Sequence, residues 1–302
     1  MKRLFLAAGL SAWLSGCISV AETTAPAAAP SQSAPSTAAE AGVPGGMQYL
    51  YGSAEAAVVT RQNWDALVDH VGAKVRQRPA DSVILADGAT LQAPRYVPCG
   101  GKPFAAVFDV DETVLLNYGF ESWQAAGGAY SPERWSEWER TGAADVAPTP
   151  GAKAALDALR GMGVTVIFNT NRHAGNAAAT AQAIEGAGLG PAEHGTTLFL
   201  QGDDDTGGHK DARRARIASR YCVLALGGDQ LGDISDLFNA IDDVRDRRAA
   251  IGSPAIVGNW GEGWFLFPNP VYGPSIKGGM DDVFPADKRW APGGATAEAA
   301  NG

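Results

Sequence analysis

Two carboxylates two residues apart, Asp109 and Asp111, follow directly on the apolar run Phe104-Ala105-Ala106-Val107-Phe108, within Asp109-Val110-Asp111-Glu112-Thr113. If the chain stays extended there, both side chains point the same way. One can then attack an electrophile while the other moves a proton. Three further polar clusters stand at comparable places. Thr170-Asn171-Arg172 follows Val164-Thr165-Val166-Ile167-Phe168, and Gly228-Asp229-Gln230-Leu231-Gly232-Asp233 follows Cys222-Val223-Leu224-Ala225-Leu226. Lys210 opens the helical stretch before that last run. A hydroxyl, an ammonium and several carboxylates are the groups that hold an anion beside a divalent cation. Singly, each cluster is weak, since Asp-x-Asp-x-Thr also serves turns and N-caps and a lone Lys is usually a solvated surface charge. Two other readings fail on residue identity. An EF-hand loop needs Gly at position six and Glu at position twelve, where Val114 and Phe120 stand. A phosphate loop over Gly202 to Lys210 lacks the Gly-Lys-Ser/Thr ending.

The elements that must position these residues can be read from apolar spacing. Strands are expected at 104–108, 164–168, 197–200, 222–226 and 264–267, and helices at 152–160, 174–187, 211–220 and 234–248. An earlier helix from Ala54 to Arg76 spaces Val58, Trp64, Leu67, Val68, Val71 and Val75 along one face. Ser131-Pro132-Glu133 starts another, with Pro at its first position. Between Val114 and Pro150 no comparable strand is expected. The alternation predicts an α/β fold, a doubly wound parallel sheet with helices on both faces. Such sheets bind ligands outside the carboxyl ends of their strands, which is where the four clusters fall.

Taken together and in this order, the clusters resemble the four motifs of the haloacid-dehalogenase superfamily. Val107-Phe108-Asp109-Val110-Asp111-Glu112-Thr113-Val114-Leu115 and Phe267-Pro268-Asn269-Pro270-Val271-Tyr272-Gly273 resemble its acid phosphatase subfamily (IIIB). Over about residues 48 to 275 the chain is similar to bacterial class C acid phosphatases, the lipoprotein 5'-nucleotidases. One departure is Leu116, where many members carry Asp before the Asn, here Asn117; it lies next to the site and bears on substrate preference. The resemblance implies a Mg²⁺-dependent phosphatase acting on small phosphomonoesters. Asp109 is then the nucleophile that forms an aspartyl-phosphate, and Asp111 the general acid and later base, giving greatest activity at acidic pH. Mg²⁺ is held by Asp109, the Asp111 backbone carbonyl and Asp229, with Asp233 orienting the metal's waters or Lys210. Thr170 and backbone N–H groups near Asn171 donate to the phosphoryl group, and Lys210 neutralises charge between Asp109 and phosphate. Arg213 and Arg214 are read as helix-surface charges. A small helical cap, from about 47–95 and 117–147, is expected over the site. Most of its aromatics, Trp123, Trp135 and Trp138 among them, are expected to be cap core, with Tyr118 and Phe120 the ones that reach substrate. A phosphotransferase on the same site is a second reading. A non-catalytic surface lipoprotein retaining the fold is a third; it predicts loss of a motif residue, and all six are present.

The ends of the chain carry different signals. Met1-Lys2-Arg3, an apolar run to Leu14 and Leu14-Ser15-Gly16-Cys17 form a signal peptide over 1–16 ending in a lipobox-like sequence. Lipid on Cys17 would make the chain an outer-membrane lipoprotein, periplasmic or surface-exposed, tethered by an Ala/Pro/Ser/Thr-rich linker over 17–46. The folded domain is expected over 47–290, with a tail over 291–302. The formal charge of −9, with no basic block, argues against nucleic-acid binding. Cys99 and Cys222 each precede an expected strand; an oxidising compartment allows them to pair, and two buried thiols are the alternative. The scatter of the four His leaves no zinc signature.

Overall fold

The computed structural model describes residues 42–292. The expected signal peptide, Cys17, most of the linker and the tail from 293 lie outside the described residues. A helical turn, α1 (Gly45–Met47), runs into a π turn over Gln48–Gly52. Helix α2 (Ala54–Gln77) follows, with the Ser53 hydroxyl accepting from the Ala56 N–H at its N-terminus. Strands β1 (Asp81–Leu85) and β2 (Tyr96–Pro98) pair antiparallel. Then come β3 (Phe104–Phe108), β4 (Leu115–Leu116), α3 (Tyr118–Ala125), α4 (Pro132–Thr141), β5 (Ala147–Pro148) and α5 (Ala152–Gly161). The chain continues through β6 (Thr165–His173), α6 (Ala177–Gly186), β7 (Leu198–Gln201), α7 (Asp211–Arg220), β8 (Cys222–Gly228), α8 (Val244–Ala250) and β9 (Trp264–Leu266).

Five strands form one parallel sheet in the order β7-β6-β3-β8-β9. Its pleat divides the core. Ala106 and Phe108 of β3 join Trp64 and Leu67 of α2, Leu156 and Leu159 of α5 and Ile184 of α6 on one face. Ala105 and Val107 join Ile217 of α7, Ile84, Phe238 and Trp264 on the other. Trp64 is fully buried between Phe108 and Phe267, with ring centroids at 5.2 and 4.5 Å; truncating such a ring to Ala costs about 3–5 kcal/mol. Cys99 and Cys222 form a disulfide across 123 residues. Among the described residues no helix is long and apolar enough to cross a membrane.

Two expectations need correction, and a third segment gains detail. Helix α2 packs against α5, β8 and β9 rather than in a cap, because its apolar stripe of Trp64, Leu67 and Val71 completes the sheet's core; only the turn around Tyr51 reaches the site. The helix expected over 234–248 is broken. Ser235 caps a 3₁₀ turn over Asp236–Phe238, and the Asp243 carboxylate accepts the Arg245 and Asp246 N–H groups to start α8 afresh. The 114–150 segment contains the two-residue pair β4–β5, which closes the base of the cap helices α3 and α4.

Candidate active site

The first strand delivers Asp109 directly: its N–H donates to the Gly227 carbonyl at 2.9 Å, continuing the β3–β8 ladder by one residue. The chain then folds back on itself, with the Val114 and Leu115 N–H groups donating to the Val110 carbonyl at 3.0 and 2.9 Å. This turn needs Glu112 in the left-handed region, at φ 54°, a conformation that costs a side-chain-bearing residue about 1–2 kcal/mol. The buried Glu112 carboxylate compensates by accepting from the Asn117 backbone N–H, the Asn117 amide (3.0 Å) and the Tyr51 (2.7 Å) and Tyr272 hydroxyls. Burial first, then the Asp111 charge, still push its pKa up.

Lys210 caps α7 and is buried. Its Nζ donates to Asp109 Oδ1 and, at 2.7 Å, to Asp233 Oδ1. Gly228 is glycine for a spatial reason: a Cβ there would overlap the Asp233 side chain. Asp229 Oδ2 accepts from Asn269 at 2.7 Å and Gln230 at 3.0 Å. Asn269 is itself fixed by the Val271 N–H, which donates to its Oδ1 at 2.9 Å. The Pro-Asn-Pro-x-Tyr-Gly segment therefore orients one carboxylate and, through Tyr272, ties down the catalytic loop.

Carboxylate oxygens of Asp109, Asp229 and Asp233 lie within 4.8 Å of one another. Burial pushes Asp109 up to about 7, against the pull of Lys210 and with the Asp233 and Asp111 charges adding to it. Asp229 is raised well above its ordinary value by burial and by Asp233 and Asp109. Burial opposes the Lys210 ammonium, but Asp109 and Asp233 outweigh it and raise its pKa. Three buried carboxylates thus gather where one ammonium pairs with two of them. An all-oxygen, net-negative donor set of this kind fits a hard divalent cation.

Asp111 is aimed elsewhere. Its carboxylate is gripped by Arg172, with Nη2–Oδ1 at 2.7 Å and Nε at 3.0 and 3.2 Å from the two oxygens, and accepts from the Asn117 amide at 2.9 Å. Arg172 also donates to Asn117 Oδ1 at 2.8 Å. Its carboxylate therefore stands outside the Asp109–Asp229–Asp233 cluster. Thr170 is fully buried inside β6, which runs longer than expected, and its Oγ1 accepts from the Arg172 N–H at 3.1 Å. Asn171 lines the cavity. Arg213 and Arg214 are buried rather than surface charges. Arg213 donates to the Thr170 carbonyl and Asn171 Oδ1, and Arg214 to the Gly232 and Asp233 carbonyls. Short of solvent, each braces a loop that carries a site residue, and Arg213 Nε is left without a hydrogen-bond partner among the described residues.

A cavity of about 650 Å³ opens over these groups. Its cap side is walled by Phe120, Tyr130 and Trp135, with Phe120 and Trp135 centroids 4.9 Å apart. Tyr118, expected to reach substrate, is not in the wall: it packs on Tyr51, and its hydroxyl donates to the Tyr51 carbonyl at 3.1 Å. Leu116 is buried in β4 against Ala147 and does not line the cavity.

The model of HAD superfamily subfamily IIIB (acid phosphatase) matches residues 43–275. The chain belongs to this family. Among solved structures it is similar to the class C acid phosphatase from Bacillus anthracis, with a TM-score of 0.62 and 23% identity over 76% of this chain and 84% of that one. A second structure of that protein, with tungstate bound, gives 0.61 and the same identity and coverage. At this identity the likeness is one of fold. No curated protein matches the sequence significantly. As a subfamily IIIB acid phosphatase the protein is a hydrolase of phosphate monoesters, and phosphatases of this superfamily generally use a divalent metal, for which the three buried Asp are suited. The residues of this site to which the sequence assigned no role are Arg172, Glu112 and Asn269. The first stands two residues after Thr170 in the motif, and the last lies inside the C-terminal signature, but their partners are distant in sequence.

Proposed function

We propose that the protein is a Mg²⁺-dependent acid phosphatase that cleaves phosphate monoesters, 5'-nucleotides among them, through an aspartyl-phosphate on Asp109. The observation that carries this reading is Lys210 bridging Asp109 and Asp233 beside Asp229 at one rim of the sheet. Asp109 attacks phosphorus as the ester P–O bond breaks, and Asp111 gives its proton to the leaving alkoxide. Asp111 then takes a proton from the water that cleaves the acyl phosphate. The Arg172 fork keeps the carboxylate in place through both transfers and pairs its charge when ionised. Thr170 and the Asn171 backbone are the groups assigned to the phosphoryl oxygens, with Lys210 neutralising charge at the nucleophile. Mg²⁺ held by Asp109, Asp229 and Asp233, with the Asp111 carbonyl completing the set, would supply the further positive charge that an acyl-phosphate-forming step requires. A lipid on Cys17 would anchor the enzyme at the outer membrane, periplasmic or surface-exposed, as the lipobox-like sequence suggests. The test is Asp109→Asn assayed on an aryl phosphate. Hydrolysis is expected to vanish with the thermal midpoint preserved, and EDTA should silence the native enzyme until Mg²⁺ is restored. An active Asp109→Asn protein refutes the nucleophile.

A further inference from the structure

Among the described residues, five carboxyl side chains line the cavity together with one lysine, Lys210, and one histidine, His173. Four of them, Asp109, Asp111, Asp229 and Asp233, belong to the catalytic rim. The fifth, Glu121, comes from the cap helix α3 and has no part in the steps above. It is 3% exposed, and its Oε2 is buried without a hydrogen-bond partner among the described residues. Leaving such an oxygen unpaired is costly, and nothing in its own helix requires it: the Glu121 backbone N–H is satisfied by the Asn117 carbonyl at 3.0 Å. The residue shares its wall with the rings of Phe120, Tyr130 and Trp135. Those rings already tolerate a cation, since the Arg172 guanidinium lies 5.9 Å from the Trp135 centroid.

Resting on the phosphatase reading, we propose that Glu121 selects leaving groups by charge, so that the cap side of the cavity prefers a monoester whose alcohol carries an ammonium group. The unpartnered carboxylate would pair with the cation while the aromatic wall covers its hydrocarbon. Lys210 is committed to Asp109 and Asp233, so it is not free to meet a second anionic group on the leaving alcohol. Burial, then the Glu112 and Asp111 charges, push the Glu121 carboxyl up to about 8, so the carboxyl is held protonated below that pH, and a bound ammonium would favour its ionised form.

The experiment compares kcat/KM for phosphoethanolamine and phosphocholine with that for 2-hydroxyethyl phosphate, an uncharged isostere of the first, in the native protein and in Glu121→Gln. The native ratio of charged to uncharged ester is expected to be about tenfold or more and to fall towards one in the variant, the scale of a lost charged hydrogen bond. A native ratio near one, a preference for the hydroxyalkyl ester, or a ratio that survives Glu121→Gln would each overturn the assignment. Glu121→Ala repeats the comparison if Glu121→Gln lowers the thermal midpoint. p-Nitrophenyl phosphate reports separately on the parent reading. Should no monoester be turned over, that reading fails, and the same ratio measured as Kd by calorimetry still decides the role of Glu121.

Discussion

Removing Arg172 tests how the site holds Asp111, the carboxylate proposed to move the proton. Arg172 is 2% and Asp111 14% exposed at the side chain, with Nη2–Oδ1 at 2.7 Å. Unit charges about 4 Å apart interact by about 4 kcal/mol at an effective dielectric near 20. The residual exposure of Asp111 lowers this, giving an expected coupling of about 2–4 kcal/mol, within the range measured for close charge pairs. Arg172→Met alone should cost about 3–5 kcal/mol, because it leaves a largely buried carboxylate without its cation. Asp111→Asn/Arg172→Met should cost less than the sum of its parts by the coupling energy. Asn117 is not orphaned in either case, since Trp138 still donates to its Oδ1 at 3.2 Å. The assay is urea unfolding of the four proteins of the cycle, with kcat/KM on an aryl phosphate measured in parallel. Residues acting as one unit lose activity non-additively, so the double variant should be scarcely worse than Asp111→Asn. Additivity within about 0.5 kcal/mol, with Arg172→Met keeping full activity, would refute the pairing as the device that positions Asp111.

Three further outcomes follow from the same geometry. In metal-free protein, Asp109 is raised to about 7 from an ordinary value near 4. The folded state therefore holds a proton the unfolded state gives up, and this contribution to stability is complete below about pH 4 and lost as pH rises through about 7. Mg²⁺ should offset that loss, so thermal midpoints with and without it should diverge as pH rises; parallel curves would contradict the metal cluster. Asn269→Ala removes the 2.7 Å donor to Asp229 and should weaken the Mg²⁺ activation constant about 10- to 100-fold, an effect absent if Asn269 merely shapes its turn. Replacing both Cys99 and Cys222 by Ala opens a loop of 123 residues and should lower unfolding free energy by about 4 kcal/mol, read by urea titration with dithiothreitol as the control on native protein.

The strands and the residues at their carboxyl ends were legible because short apolar runs bounded by polar clusters leave few alternatives in an alternating chain. The single-residue assignments of Asp109 and Lys210 to a common rim follow from that regularity alone. The 234–248 segment misled because its apolar spacing suits a helix, while Ser235 and Asp243 offer side-chain acceptors that start new turns instead. Helix α2 shows the complementary failure: its amphipathic stripe announces burial but not the surface it will meet.

Local sequence thus determined the fold class, the parallel sheet and the order in which Asp109, Lys210 and the metal-suited aspartates reach one edge. Tertiary structure alone decided which charges became partners. Arg172 turned to Asp111, Arg213 and Arg214 went inward to brace loops, Asn269 came to Asp229 from 40 residues away, and Glu121 took a place in the cavity lining with one oxygen buried and unpaired among the described residues. The reason is physical. Periodicity reports which residues leave water, whereas the energy of a buried polar group depends on the few atoms within about 3 Å of it, and those are set by packing across the whole chain.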